Sequence, residues 1–316
     1  MALKNIIGQD RALKVLLGTL VRDRVPSALL VSGEAGIGKR AAALSYAKAV
    51  NCSTPVQGDS CDTCGSCRKI QSGAHPDVTV LAPEGDEIKI DTIRRVIEAL
   101  TLSPFEGKKK VVIIEEAERM NRSAANAFLK TLEEPPDHSL IVLLSSNPDG
   151  LPSTIRSRCA AVRFNPLSAG VSEGLADDRL TDSDRAFVTR LVAGRPGLSM
   201  TRDFAEERQR FAEHLDSMLR GEPGQVWQDR TEMKSWIEMA LVYLRDLAVK
   251  VVTGRKDLLF FSDAGGQDDL GKILQAFQRL ESLKALMELN LNRQVSWSYT
   301  SVTMRETLGT EGGHGR

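Results

Sequence analysis

The sequence predicts an α/β domain in the first half of the chain and a helical second half. Short apolar runs at 27–32, 108–116 and 140–144 are typical of buried strands. A glycine-rich segment at 33–40 follows the first run and leads into a helix. Beyond residue 230, apolar residues recur at helical spacing, which indicates amphipathic helices.

Length and composition set the class of protein. The chain has 316 residues, of which 41% are hydrophobic and 27% are charged, so it is long enough for two or three domains and is neither disordered nor fibrous. The 42 basic and 42 acidic residues cancel, so only a local patch could attract nucleic acid or a membrane. The N-terminus has no signal-like apolar core, and no run of ~18 apolar residues occurs, so we expect a cytoplasmic protein.

The glycine-rich segment has the spacing of a phosphate-binding loop. Gly33, Gly36 and Gly38 leave room for backbone N–H groups to point at phosphate oxygens, and Lys39 supplies a positive charge. Arg40 stands where the motif has a Ser or Thr that holds Mg²⁺, and a guanidinium has no lone pair to offer a cation. The segment is therefore a degenerate phosphate loop, or else a purely structural turn.

Four cysteines follow at the spacing C-x8-C-x2-C-x2-C. This pattern favours a closed, structural zinc site that pins the loop of residues 51–74. Disulfides and an iron–sulfur cluster are the alternatives, although a cytoplasmic chain keeps its thiols reduced and the Cys-Pro ending of ferredoxin motifs is missing. His75 lies nearby but is not needed as a ligand. The expected ligands are Cys52, Cys61, Cys64 and Cys67.

The strand at 108–116 ends in two acids, which is the layout of a Walker B element. Glu115 stands where an Asp that organises Mg²⁺ is usual, and it is one methylene longer. Glu116 falls where related ATPases have a water-activating carboxylate. Paired acids at a strand end also occur as a solvated edge. Helices are expected to follow from the N-caps Asp91 and Asn121, the second helix ending before Pro135.

The segment TIRSRC at 154–159 follows the strand at 140–144 and its turn. A side chain at this place is suited to reach outward, but a lone arginine such as Arg158 is most often a solvated surface charge. Cys159 is far in sequence from the other four cysteines, so we exclude it from the metal site.

The order and spacing of these motifs resemble the bacterial DNA polymerase III clamp-loader family of AAA+ proteins. The resemblance is carried by GEAGIGK at 33–39, the four-cysteine insertion, NAFLKTLEEPP at 126–136 and LLSSNPDGLPSTIRSRC at 143–159, and it extends to SWIEMALVYLRD at 235–246. It implies an α/β AAA+ domain with a parallel sheet and flanking helices, a small helical lid domain and an all-α collar domain. It also implies a five-subunit ring fragment that opens the sliding clamp.

On this basis we expect four regions. They are an AAA+ domain at 1–166 with the zinc module at 51–74, a lid at 167–222 with helices at about 183–193 and 198–220, a collar at 223–309, and a disordered tail at 310–316. The turn at 221–224 marks the boundary between lid and collar. The apolar helix faces of the collar are more often intramolecular core than partner surface.

The family has motor members, gamma and tau, with complete ATPase motifs, and a stator member, delta-prime, whose own site is often degraded. The resemblance implies that Arg158 reaches into the ATP site of a neighbouring subunit. Arg40 and Glu115 favour the stator, with Zn²⁺ as a structural cofactor and ATP binding doubtful. Neither Ser145 nor Ser146, near the sensor-1 position, is assigned a catalytic role.

The implied partners are gamma/tau-like and delta-like subunits in a pentameric ring, and the sliding clamp and primer–template DNA through the complex. Two alternatives remain. The chain could be an active ATP-hydrolysing motor that tolerates Arg40, or a zinc-bearing nucleic-acid-binding module with an idle ATPase fold.

Overall fold

The computed structural model describes residues 1–85, 87–167, 204–220, 227–255, 259–261, 269–287 and 291–309. These residues belong to two compact units, which we describe separately. The first unit contains the described residues up to 167, and the second contains those from 204 onward. No helix in these described ranges is long and apolar enough to cross a lipid bilayer.

The first unit is built on a five-stranded parallel sheet. Its strands lie in the order β2-β3-β4-β1-β5, and every neighbouring pair is parallel. Because β1 lies between β4 and β5, the chain crosses the sheet several times, as in doubly wound α/β proteins. The predicted parallel sheet is therefore confirmed. Its strands are β1 (Ala28–Ser32), β2 (Val78–Leu81), β3 (Lys110–Ile114), β4 (Ser139–Ser145) and β5 (Ala160–Arg163).

Helices cover both faces of the sheet. Alternate residues of β1 explain this, because Leu29 and Val31 point into one apolar core and Ala28 and Leu30 into the other. Helices α1 and α2 pack into the first core, and α4 and α5 into the second. The helices of this unit are α1 (Asp10–Val21), α2 (Lys39–Asn51), α3 (Gly65–Gln71), α4 (Ile90–Thr101), α5 (Arg122–Glu133) and α6 (Ser153–Arg156).

The two predicted helix caps differ in outcome. Asn121 caps α5 as expected, since its side-chain oxygen accepts a hydrogen bond from the N–H of Ala124 at 2.9 Å. The expected cap at Asp91 is wrong, because α4 begins at Ile90 with Lys89 in the capping position. The backbone of Ile88 is hydrogen-bonded to that of Arg119 and Asn121, and Lys89 is extended, so the helix starts one residue before Asp91.

Two buried polar side chains hold the loop before β3. The Asp77 carboxylate accepts the N–H groups of residues 105–107 at 2.7–2.8 Å, and the Asn51 side-chain oxygen accepts those of residues 108 and 109 at 2.9 Å. Both side chains belong to buried residues. Five consecutive backbone donors are thus satisfied within the protein, and this fixes the loop although the side chain of Phe105 is 84% exposed.

The second unit is helical, which confirms the expectation for the second half of the chain. Phe211 lies at its centre, with its ring centroid 5.1 Å from that of Trp236 and 5.6 Å from that of Tyr243. The apolar face of α8 is therefore intramolecular core, as expected. The helices are α7 (Phe204–Arg220), α8 (Arg230–Thr253), α9 (Leu270–Leu286) and α10 (Arg293–Leu308).

Helix α7, which the sequence assigned to the lid, packs within this unit beside α8 and α10. The helix expected at 183–193, the boundary at 221–224 and the tail at 310–316 lie outside the described residues. The division into lid and collar therefore stays a prediction.

Candidate functional site

The glycine-rich loop lies at the carboxyl end of β1 and leads into α2. Gly33 has a φ of +147°, and a Cβ there would lie 2.5 Å from the carbonyl oxygen of Phe164. Gly38, with a φ of +96°, occupies the N-cap of α2 in a left-handed conformation. Only glycine takes these positions without strain. The loop thus has the conformation and the helix N-terminus that suit a phosphate group.

Lys39 is folded onto this loop. Its ammonium group donates to the carbonyl oxygens of Gly33 and Glu34 at 2.6 and 2.7 Å and to the hydroxyl of Ser146 at 2.9 Å. These three bonds use all three N–H donors of a lysine. Burial lowers the pKa of Lys39 to about 8, against the opposing effect of nearby carboxylates, of which Glu118 has the largest.

Arg40 and Glu115, the two residues at which the sequence departs from the Mg²⁺-binding motifs, form an ion pair. The Nε of Arg40 lies 2.5 Å from Oε1 of Glu115, and this oxygen has no hydrogen-bond partner among the described residues, so the contact is one of charge. A guanidinium at this position replaces one oxygen ligand and neutralises another. The residues present fit a phosphate but do not fit a Mg²⁺ site.

The acids after β3 are not equivalent. Glu116 takes a left-handed conformation with a φ of 46°, and its half-exposed carboxylate pairs with Arg119 at 2.8 Å. Glu118, which the sequence reading missed, accepts the backbone N–H groups of Ser146 and Asn147 at 2.9 and 3.1 Å. It therefore ties the end of β4 to the end of β3. The only sequence signal for Glu118 was its place as the third acid in the run EEAE.

The structure brings the four predicted cysteines together. Their sulfur atoms all lie within 4.8 Å of one another, with separations of 3.5 Å from Cys52 to Cys61 and 4.0 Å from Cys52 to Cys64. Four sulfurs at about 2.3 Å from one zinc ion would be roughly 3.8 Å apart, so the set fits a single tetrahedral ion. All four are free thiols in this structure. A multi-iron cluster binds its thiolates to different iron atoms and therefore needs sulfur atoms that lie further apart.

Hydrogen bonds to the sulfurs lower the pKa of two of the four thiols. The Thr54 hydroxyl, followed by Thr63, lowers the pKa of the Cys61 thiol to about 5. Burial would raise the pKa of Cys64, but backbone N–H groups outweigh it and the pKa is lowered. Burial raises the pKa of both Cys52 and Cys67. The cluster therefore combines two acidic and two weakly acidic thiols.

Buried contacts connect the cysteine module to the domain. Lys48 of α2, which is 1% exposed, donates to Asp62 at 2.7 Å and to Gln71 at 3.1 Å. His75 contacts Ser66 through Nε2 and accepts from the N–H of Asp77 through Nδ1. Both ring nitrogens are thus engaged away from the sulfurs, which agrees with the expectation that His75 is not a ligand.

Arg158 lies between α6 and β5 and is partly exposed. Its NH2 group donates to Oε1 of Glu133 at 2.5 Å, and its NH1 group donates to the carbonyl oxygen of Thr154 at 2.8 Å. A longer contact of 3.4 Å joins NH1 to the hydroxyl of Ser157. Cys159, its neighbour, is apart from the cysteine cluster, and burial raises the pKa of its thiol to about 11.

The strand register places Arg158 and the phosphate loop at opposite edges of the sheet. Arg163 pairs with Ser32, just before the loop, whereas Ala160 pairs with Leu29. From Ala160 to Arg163 the strand advances by three residues at about 3.3 Å each, so these two positions are roughly 10 Å apart along β5. Arg158 lies two residues before Ala160. Arg158 therefore cannot serve the loop of its own chain from this position.

Comparison with known proteins agrees with this architecture. A family model described as "DNA polymerase III, delta subunit" matches residues 8–168. The delta-prime subunit of DNA polymerase III from Bacillus subtilis (strain 168) is 32% identical over 275 residues, which is 81% of each chain. The chain belongs to the family described as "DNA polymerase III, delta subunit". The sequence resemblance to the clamp-loader proteins of DNA polymerase III is thereby confirmed.

Other DNA polymerase III subunits differ in how much of this chain their sequences match. The delta-prime subunit of Pseudomonas aeruginosa is 32% identical over 78% of this chain and 77% of its own length. The tau subunit of Escherichia coli (strain K12) is 36% identical, but the match covers 52% of this chain and 25% of tau. The delta-prime relatives therefore match more of the chain than tau does.

A solved structure supports the fold. The gamma subunit-related protein of Thermotoga maritima aligns with a TM-score of 0.54 at 22% identity, covering 92% of this chain and 99% of the other. The AAA+ fold and the helical C-terminal region are confirmed.

Proposed function

We propose that this chain is the stator subunit, of the delta-prime kind, of a bacterial clamp loader, and that Arg158 acts at the ATP site of a neighbouring subunit. One observation carries the proposal. Arg158 is an exposed arginine at the sheet edge opposite its own phosphate loop, where it is available to another subunit.

The chain's own nucleotide site supports the same assignment. The ion pair between Arg40 and Glu115 occupies the region in which Mg²⁺ would be held, and Lys39 has all its donors engaged. A site without its metal does not hydrolyse ATP efficiently, because the metal neutralises charge on the transferring phosphate. We therefore assign no ATPase activity of its own to this chain, although the loop keeps the shape to hold a phosphate.

The guanidinium of Arg158 has donors left for a second partner. The contacts to Thr154, Ser157 and Glu133 leave one N–H of NH2 and the N–H of Nε free of these contacts. These groups can bind phosphate oxygens of a nucleotide on a neighbouring subunit. A fixed positive charge stabilises the negative charge that develops during phosphoryl transfer. An arginine supplied in trans raises the rate of this step by a factor of about 10³–10⁵.

The names of the relatives suggest the partner subunits, and the resemblance of the motifs implies the ring, the clamp and the DNA. The proposed partners are gamma/tau-like and delta-like subunits in a pentameric ring, with the sliding clamp and primer–template DNA reached through the complex. Zinc is the proposed ion at Cys52, Cys61, Cys64 and Cys67, where it would supply structural cross-linking and no reaction step. The cytoplasmic location stays a prediction from the sequence.

The test is the ATPase of a reconstituted loader. Arg158→Ala is expected to leave assembly intact and to lower the DNA-stimulated ATPase by at least tenfold, because one catalytic arginine is removed from the complex. Arg163→Ala, an exposed arginine at the other end of β5, is the control. Full activity of a correctly assembled Arg158→Ala complex would exclude the proposed role.

An active motor subunit is the second candidate function. The retained loop glycines, Lys39 and the tau relative favour it. The purified chain alone separates the two: Mg²⁺-dependent hydrolysis that is abolished by Lys39→Ala would establish the motor, and the stator predicts no such turnover.

A further inference from the structure

We infer that Glu133 is a positioning residue that orients Arg158 for its role in trans, an inference that rests on the proposed function. The carboxylate of Glu133 and the guanidinium of Arg158 are 25 positions apart in the sequence, and they meet at 2.5 Å. This ion pair is the shortest of the polar contacts that Arg158 makes in the described part of the chain.

Both residues stand on fixed elements. Glu133 is the last residue of α5, whose Phe128 and Leu132 are buried in the second core. Arg158 follows α6, and Ile155 of that helix is buried in the same core. The positions of the two backbones are therefore set by shared apolar packing, and the ion pair only selects the direction of the long arginine side chain.

The contact between Glu133 and Arg158 adds little to the stability of the fold. The side chain of Arg158 is 34% exposed and that of Glu133 is 48% exposed. Exposed ion pairs contribute about 0–1 kcal/mol to folding, because water screens the charges and ordering two long side chains costs entropy. A pair at this location has more effect on the conformation of Arg158 than on the stability of the domain.

The arrangement reduces the conformational entropy that the Arg158 side chain loses when it binds a phosphate. A free arginine samples many rotamers, and ordering it at an interface costs binding free energy. Glu133 accepts from NH2 and the carbonyl oxygen of Thr154 accepts from NH1, and these two contacts do not use Nε–H or the second NH2 hydrogen. The arginine is therefore ordered before the neighbouring subunit meets it, which is the general benefit of preorganisation.

The experiment measures steady-state ATPase of the full loader reconstituted with Glu133→Gln, Glu133→Asp or Glu134→Gln. We expect Glu133→Gln to lower kcat by roughly threefold to tenfold, the effect of ordering one long side chain, with KM for ATP nearly unchanged. Glu133→Asp should restore part of kcat. Glu134→Gln changes the neighbouring carboxylate, which has no polar contact with Arg158, and should behave as wild type.

A double-mutant cycle with Arg158→Ala distinguishes the inference from the proposed function. If Glu133 acts through Arg158, then Glu133→Gln has no further effect on kcat once Arg158 is absent. An unchanged or raised kcat for Glu133→Gln, together with a large loss for Arg158→Ala, would overturn the positioning role and leave the proposed function standing. No loss for Arg158→Ala would overturn the proposed function itself.

Discussion

The Nε of Arg40 lies 2.5 Å from Oε1 of Glu115, so a cation of the chain itself neutralises the carboxylate that follows β3. The pair joins the start of α2 to the end of β3, two elements that are far apart in sequence. Because Arg40 is 65% and Glu115 23% exposed in their side chains, the pair is worth about 1 kcal/mol or less to stability. Its consequence is chemical: Glu115 is paired with a guanidinium, which has no lone pair to offer a metal ion.

Replacing this pair by oxygen ligands should restore metal-dependent nucleotide binding. In the double variant Arg40→Thr, Glu115→Asp, a hydroxyl and a shorter carboxylate stand where Mg²⁺ requires them. We expect the affinity for ATP in the presence of Mg²⁺ to rise at least tenfold over the wild type, measured by isothermal titration calorimetry with and without EDTA.

The matched control is Arg40→Met, which removes the positive charge and offers no oxygen. It should leave Mg²⁺-dependent binding as weak as in the wild type, because relief of the charge alone does not create a ligand. Equal affinities of the wild type and the double variant for the Mg²⁺ complex of ATP would show that Arg40 does not block the site.

The lowered pKa of Lys39 predicts a pH-dependent stability. The folded-state pKa of about 8 lies below the ordinary value of 10.5, so between these pH values the unfolded chain binds more protons than the folded chain. The free energy of unfolding therefore rises with pH in this window. The wild type should gain stability relative to Lys39→Met from about pH 8 to about pH 10.5, measured by urea denaturation. A constant difference would contradict the shifted pKa.

Much of the α/β domain could be predicted from local sequence. The apolar runs gave β1, β3 and β4 within a few residues, because buried parallel strands are continuous apolar segments. The cysteine spacing gave the metal cluster, since the four sulfurs lie on one short segment. The exposed position of Arg158 also followed from its place after a buried strand.

The side-chain pairs were not predictable in the same way. The pairing of Arg40 with Glu115 depends on the spatial order of the strands, which the sequence does not state. The contact between Glu133 and Arg158 depends on how α5 and α6 pack in one core. Strand β5 was also missed, because its short, largely exposed sequence has no continuous apolar run. Tertiary packing sets these features, and local pattern does not.

The cysteine cluster predicts zinc binding coupled to proton release. At pH 7 the thiols of Cys52 and Cys67, whose pKa values are raised, are protonated in the metal-free chain, so zinc binding should release at least these two protons. Calorimetry in buffers of different ionisation enthalpy measures this number. The zinc affinity should fall as the pH is lowered, because the ligands must be deprotonated.

Cysteine variants test which thiols hold the ion. We expect elemental analysis to find one zinc per chain in the wild type and none in Cys67→Ser. The variant should also have a lower midpoint of thermal unfolding, because structural zinc contributes on the order of 10 kcal/mol to such modules. Cys159→Ser is the control, since this cysteine lies outside the cluster. Retention of zinc by Cys67→Ser, or its loss from Cys159→Ser, would contradict the assigned ligand set.

Asp77 should be one of the most important single polar residues for the stability of the first unit. Its carboxylate accepts the N–H groups of Phe105, Glu106 and Gly107, and these bonds outweigh the effect of burial so that its pKa is lowered. Asp77→Asn keeps the size but loses the charge-assisted bonds, which should cost about 1.5–3 kcal/mol at pH 7.

The pH dependence identifies the cause of that loss. Because the folded-state pKa of Asp77 is below its unfolded value, its contribution is fully present above the unfolded pKa of about 3.9 and disappears as the pH falls through the lower folded value. The difference between wild type and Asp77→Asn in urea denaturation should therefore shrink below about pH 4. Asp91→Asn, which changes a highly exposed carboxylate near Arg94, should alter stability by less than about 0.5 kcal/mol at either pH. A pH-independent loss for Asp77→Asn would mean that the shape of the side chain, and not its charge, holds the loop before β3.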